Sequence, residues 1–186
     1  MRQDFVRFLV TMARHPSSSG KKLAWLGVGA FTFLLVSPWL LGMGGYAIVQ
    51  AIAPFARTLE LTVGALAFVA GFALLAWILI LQWHQGGGTP VPAAPTQHLI
   101  TTGPYAFCRH PMYLGAAIYH LGFVTLFFGF LPGLGASVAV LAFAILYGRN
   151  VEERELEARF GEEYRAYRAR TPFLFPRRKG PRSGAF

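Results

Sequence analysis

Two clusters of residues in this chain have types and spacing suited to chemistry. The first is Gly103-Pro104-Tyr105-Ala106-Phe107-Cys108-Arg109-His110-Pro111-Met112-Tyr113-Leu114-Gly115, which crosses from polar into apolar sequence. Pro111 favours an extended backbone at His110 and suits the first turn of a following helix. His110 therefore stands at a helix entry, where unpaired N–H groups favour an anion such as a carboxylate. A capping or interface histidine is the competing reading. Tyr105 and Tyr113 fit either an interfacial aromatic belt or packing against a ligand. Cys108 reads as a small packing residue.

The second cluster is Arg149, Glu152 and Glu153. On a helix, residues three and four apart are neighbours, so Arg149 is predicted to reach both glutamates. They are read either as a solvated helix face or as the lining of a pocket at the polar–apolar boundary, where ionisable groups are costly unless paired or used. His84, His98 and His120 are scattered without metal-ligand spacing, and no metal is expected. No phosphate-binding loop or nucleophile elbow is present, and no strand precedes Gly86-Gly87-Gly88 to make it a dinucleotide fingerprint.

The elements that must position these residues are membrane helices. Of the 186 residues, 54% are hydrophobic and 13% charged, against about 25% charged in soluble domains. The fold expected is an all-α integral membrane protein. It has about four transmembrane helices, a cytosolic C-terminal helix and both termini in the cytoplasm. The net charge of +9 comes from basic residues at the chain ends and beside apolar blocks. It points to membrane lipids and topology and not to nucleic acid. The lone cysteine excludes an intrachain disulfide. No small-residue cleavage site follows the first apolar run, so no cleaved signal peptide is read.

Residues 1–22 form a basic interfacial segment. Phe5, Phe8, Leu9 and Met12 fall at helical spacing, and Ser17-Ser18-Ser19-Gly20 ends the helix. Residues 23–83 hold two spans, Leu23–Leu41 and Leu59–Trp83. Gly42-Met43-Gly44-Gly45 breaks the first, and Tyr46–Ala53 is interfacial or re-entrant. Residues 84–176 carry the chemistry. The region opens with a Gly/Pro-rich loop over Gln85–Pro95. A third span, Met112–Phe130, is joined by the turn Leu131-Pro132-Gly133 to a fourth, Leu134–Tyr147, which continues to Arg170 with a kink or break at Gly161. Residues 177–186 are a loose basic tail. The basic ends, with only Arg57 in the 42–58 loop, put both clusters on the cytoplasmic side.

Taken jointly, four motifs resemble the isoprenylcysteine carboxyl methyltransferase family and its phospholipid methyltransferase-like bacterial members. They are Gly103-Pro104-Tyr105; Arg109-His110-Pro111-x-Tyr113-x-Gly115; Arg149-x-x-Glu152-Glu153; and Phe160-Gly161-x-x-Tyr164-x-x-Tyr167-x-x-Arg170. Thr89-Pro90-Val91-Pro92 also looks like bacterial members. The resemblance covers roughly residues 85–176.

It implies an S-adenosyl-L-methionine-dependent methyltransferase in the cytoplasmic or inner membrane of a prokaryote, its active site facing the cytoplasm and its acceptor a lipophilic small molecule or lipid. By resemblance, His110 and Tyr113 contact the cofactor in the Arg109-His110-Pro111 region, Gly103 and Tyr105 shape its loop, and Glu153 is a further contact. Arg149 and Glu152 lie towards the substrate as the catalytic pair. The chain is shorter than the eukaryotic enzymes, which separates the acceptor from the cofactor chemistry. A carboxylate acceptor, as in isoprenylcysteine, needs a cation such as Arg149. A phospholipid amine needs a base such as Glu152, and a small thiol needs ionisation. Two other readings are an NADPH-dependent membrane sterol-type reductase, which shares an Arg-His-Pro-x-Tyr motif, and a non-catalytic membrane scaffold.

Overall fold

The computed structural model describes residues 2–13, 18–49 and 57–175. Helix α1 (Arg2–Ala13) precedes a first spanning stretch built from α2 (Ser19–Phe31), a π turn (Thr32–Val36) and α3 (Ser37–Val49). Then come α4 (Arg57–His84), α5 (Pro111–Phe128), α6 (Phe130–Tyr147), a second π turn (Gly148–Glu152) and α7 (Glu153–Arg170). Among the described residues there is no β-strand, and four helical stretches are long and apolar enough to cross a bilayer. The chain is thus an all-α integral membrane protein.

The antiparallel trio α4, α5 and α6 is the centre of the bundle, with α3 against α5 and α6. Leu75, Tyr119 and Phe123 form its core, joined by Leu34, Phe68 and Met112. Lipid takes the place of water outside, so exposed Leu66, Phe72 and Phe143 are as expected for spanning helices. The bundle has two ends. The motif end carries Gly103–Gly115, α7 and α1; the hairpin end carries the α5–α6 turn and the start of α4.

Two features differ from expectation. The first span is not broken at Gly42–Gly45; the helix runs on to Val49. Gly42 lies under the Phe128 ring and Gly45 under Pro132, so close packing offsets the poor helix propensity of glycine. Residues 50–53, the rest of the expected interfacial segment, lie outside the described residues. The α5–α6 turn is Gly129 alone, at φ 98°, and Leu131-Pro132-Gly133 is the first turn of α6. Proline is tolerated there because the first N–H groups of a helix have no partner within it. The Phe130 N–H is met instead by Glu60 Oε1 at 3.0 Å. Arg57, 3.5 Å from Glu60, donates to the Leu126 carbonyl at 3.1 Å and closes the other helix end.

The remaining boundaries agree closely. The second span runs Arg57–His84, and the fourth helix continues through the π turn into the charged segment. Gly161, at φ 53° and ψ −123°, divides α7. The loop after α4 is irregular but built: the Thr89 N–H and hydroxyl both donate to the Ala94 carbonyl, at 2.8 and 3.0 Å. The N-terminal helix is present, while the 14–17 part of its end and the 177–186 tail lie outside the described residues.

Candidate functional site

The site is assembled where α5 begins, α6 gives way to α7, and the chain leaves α7. Its foundation is a pair of backbone hydrogen bonds. The Arg109 and His110 N–H groups donate to the Pro172 and Phe173 carbonyls at 2.9 and 3.2 Å. Arg109 reinforces this join. Its Nη1 donates to the Arg168 and Thr171 carbonyls at 3.2 and 2.5 Å, while Nε, at 2.9 Å, and Nη2 hold Glu153 Oε1. Four of the five guanidinium N–H groups are used within the protein. Arg109, expected among the cofactor contacts, is here the clamp that fixes Glu153 and the end of α7.

His110 is 3% exposed and lies between two carboxylates, Nδ1 3.6 Å from Glu152 Oε2 and Nε2 3.6 Å from Glu153 Oε1. Its Nε2 is buried without a hydrogen-bond partner. Pro111 occupies the first position of α5 and His110 stands at the helix entry, as predicted, with no cap hydrogen bond from its side chain. The Tyr113 ring stacks on His110 at 4.9 Å and 9°, and the Tyr113 hydroxyl donates to Glu152 Oε2. Phe173 closes the stack, 4.5 Å from the His110 ring. Burial pushes the His110 imidazolium towards deprotonation, but Glu152 and Glu153 outweigh it and leave its pKa above the ordinary value. Burial likewise opposes the ionised Glu153, yet His110 and Arg109 hold its pKa down at about 2.

The second π turn sets this geometry. Gly148 has no side chain, and a Cβ there would lie 2.7 Å from the Tyr113 ring and 3.0 Å from Phe173. The wider turn also changes which residues share a face. Arg149 consequently pairs with neither glutamate, correcting the expectation drawn from α-helical spacing. It is exposed, its guanidinium 5.2 Å above the Phe173 ring, and it forms no ion pair among the described residues. Arg109 takes its place beside Glu153.

Gly103 and Tyr105 lie one shell away. Gly103, at φ 58°, opens a 3₁₀ turn over Leu81 and Trp77. The Tyr105 hydroxyl accepts from Gln82 Nε2 at 2.8 Å, and its carbonyl accepts from the Tyr167 hydroxyl at 2.6 Å. The structure thus joins His110, Pro111, Tyr113, Glu152 and Glu153 in one knot, places Arg109 behind it and Arg149 at its rim, and sets Gly103 and Tyr105 beside it. Phe173, Gly148 and Gln82 were missed. An aromatic right after Thr171-Pro172, where a charged helix ends, was the available signal for Phe173. Among the described residues, no three His, Cys, Asp or Glu side chains form a metal-ligand group.

A membrane helix bundle with an acid–histidine–aromatic knot at one end is the class that fold and site define. The chain belongs to the phospholipid methyltransferase family, whose profile matches residues 59–163. It is similar to the nickel-cobalt-cadmium resistance protein NccN of Alcaligenes xylosoxydans xylosoxydans, 39% identical over 88 residues, which are 42% of this chain and 36% of that protein. It is similar to the protein-S-isoprenylcysteine O-methyltransferase of Rattus norvegicus, 36% identical over 90 residues, 48% of this chain and 31% of the relative. It is also similar to methanethiol S-methyltransferase 1 of Bradyrhizobium diazoefficiens, 38% identical over 79 residues, 40% of this chain and 25% of the relative. The chain thus spans about a third or less of the length of these relatives. No solved structure matches.

Proposed function

We propose that the chain is an S-adenosyl-L-methionine-dependent membrane methyltransferase acting on a lipophilic acceptor that bears a carboxylate. The observation that carries the cofactor reading is the buried Nε2 of His110, which makes no hydrogen bond among the described residues and stands between two fixed carboxylates. The donor set fits the group. Buried N–H suits its carboxylate or a ring nitrogen, Glu152 and Glu153 suit its ammonium, and the Tyr113 and Phe173 rings suit a sulfonium or a purine. When bound, the cofactor supplies an electrophilic methyl group whose former bonding pair stays on sulfur. The protein's part is to position and to exclude water. Arg109 holds Glu153, Tyr113 holds Glu152, and Phe173 covers the imidazole.

Among acceptors, the rim favours the carboxylate. Arg149 is exposed, stands over Phe173 and has no carboxylate partner among the described residues. Glu152 is already bound by Tyr113 and faces His110, so it is poorly placed to take a proton from an amine or thiol. A carboxylate needs no deprotonation, only a cation to hold it. The apolar neighbours of the rim, Phe143 and Leu146, suit an acceptor delivered from lipid. The basic motif end is assigned to the cytoplasm, in the cytoplasmic or inner membrane of a prokaryote.

The test is a labelled-methyl transfer assay with an S-prenylcysteine derivative, phosphatidylethanolamine and small thiols as acceptors. Turnover is expected with the prenylcysteine. Turnover confined to the phosphatidylethanolamine or to the thiols would overturn the carboxylate assignment. A thermal-shift comparison separates the reductase reading: S-adenosylhomocysteine is expected to raise the melting temperature and NADPH to leave it unchanged.

A further inference from the structure

The first spanning stretch has two halves that differ in how they are held. Below the π turn Thr32–Val36, α3 is packed: Gly42 and Gly45 receive Phe128 and Pro132, and the Trp39 and Phe128 rings meet at 5.1 Å. The π turn itself is pinned to α5. The Tyr119 hydroxyl donates to the Leu34 carbonyl at 2.7 Å, and His120 Nε2 lies 2.8 Å from the Ser37 hydroxyl, which donates to the Phe33 carbonyl at 2.8 Å. Above the turn, towards the motif end, α2 has no buried residue.

Lys22 and Gly29 tie α2 to the loop that follows α4. Lys22 Nζ donates to the Gly87 carbonyl, and Val91 Cγ2 sits 2.8 Å from where a Gly29 Cβ would be. That loop is stiff in itself, closed by Thr89 onto Ala94, and Arg159 of α7 holds its Thr96 carbonyl. A π turn inside a helix marks a place where the helix bends. Here it divides a packed half from a half that buries no residue and leans on the loop after α4.

We propose that α2 is a gate. It hinges at Thr32–Val36, latches through Val91 seated on Gly29, and admits the apolar chain of the acceptor from the bilayer to the motif end. The gate rests on the lipophilic-acceptor reading above, and it makes Val91 and Gly29 the pair that controls entry. The anchors of the hinge, Tyr119 and His120, lie on the helix that carries Tyr113, so opening leaves the knot undisturbed.

Two measurements test it, in a Cys108→Ala background reconstituted in lipid nanodiscs. In the first, Gly29→Cys and Val91→Cys are oxidised to a disulfide. Turnover of an S-farnesylcysteine derivative is expected to fall at least about tenfold and to return on reduction, as for other gating elements. S-adenosylhomocysteine affinity is expected to stay unchanged. Full turnover in the oxidised form would overturn the gate.

In the second, spin labels at Ala24→Cys and Ala158→Cys report the separation of α2 from α7 without any need for activity. A single short distance is expected with Val91 present, and an added longer population with Val91→Gly. Identical distributions would overturn the latch. Should the uncrosslinked parent neither bind S-adenosylhomocysteine nor turn over, the functional reading fails, while the distance measurement still decides the gate.

Discussion

His110 stands between two acids, Nδ1 facing Glu152 and Nε2 facing Glu153, and its Nε2 makes no hydrogen bond among the described residues. His110→Ala is expected to weaken S-adenosylhomocysteine binding by roughly 10- to 100-fold, the loss of a hydrogen bond to a charged group. Unchanged affinity by calorimetry would remove it from the site. Arg149→Ala is expected to lower turnover of the carboxylate acceptor by a similar factor, about 10- to 100-fold, with donor affinity intact.

The pH dependence follows from the same residues. His110 is raised above 6.5, so its contribution to stability is full below 6.5 and is lost as pH rises through the folded value. Glu153 is lowered from 4.5 to about 2, so its contribution is full above 4.5 and is lost as pH falls towards 2. Both act fully between about 4.5 and 6.5. Melting temperature in detergent is expected to drop on the alkaline side of that window, and His110→Gln is expected to remove most of this drop. The type and spacing of His110 and Tyr113 were readable in the sequence because helix-entry chemistry is local, whereas Glu152 joined them only through the family resemblance. The swap of Arg149 for Arg109 beside Glu153 was not, because it depends on one π turn and on a return of the chain after Arg170.

At the scale of elements, the second π turn is what α6 and α7 contribute to the site. Gly148→Val is expected to push Tyr113 and Phe173 apart, at an overpacking cost of about 1–3 kcal/mol. Cofactor affinity is expected to fall more than overall helix content, which calorimetry and circular dichroism separate. Hydropathy reveals such helices well, since length and apolar character suffice to place α4, α5 and α6. It misjudges glycines. Gly42-Met43-Gly44-Gly45 read as a break because an isolated helix disfavours glycine, whereas in the bundle Gly42 and Gly45 admit Phe128 and Pro132. Gly129 went unnoticed as the α5–α6 turn because Leu131-Pro132-Gly133 was the stronger local signal.

For the whole molecule, the distribution of charge sets the expected orientation. Lys21, Lys22 and the arginines of α7 gather at the motif end, while Arg57, tied to Glu60, stands at the hairpin end. A cysteine at the exposed Leu134, near the hairpin end, is expected to react with a membrane-impermeant maleimide in intact cells. A cysteine at the exposed Ala158 of α7 is expected to react only after the cells are opened. The reverse pattern would invert the topology.

The backbone bonds from Arg109 and His110 to Pro172 and Phe173 also bear on the order in which the protein becomes competent. A ribosome that has translated as far as Tyr147 has made the four spanning stretches found among the described residues, yet His110 still lacks Glu152, Glu153 and its Phe173 cover. Insertion and assembly of the knot are therefore expected to be separate events in biosynthesis. A nascent chain is expected to settle in the bilayer before the knot can close, and, on the proposed function, a chain cut before Phe173 is expected to be inserted but inert.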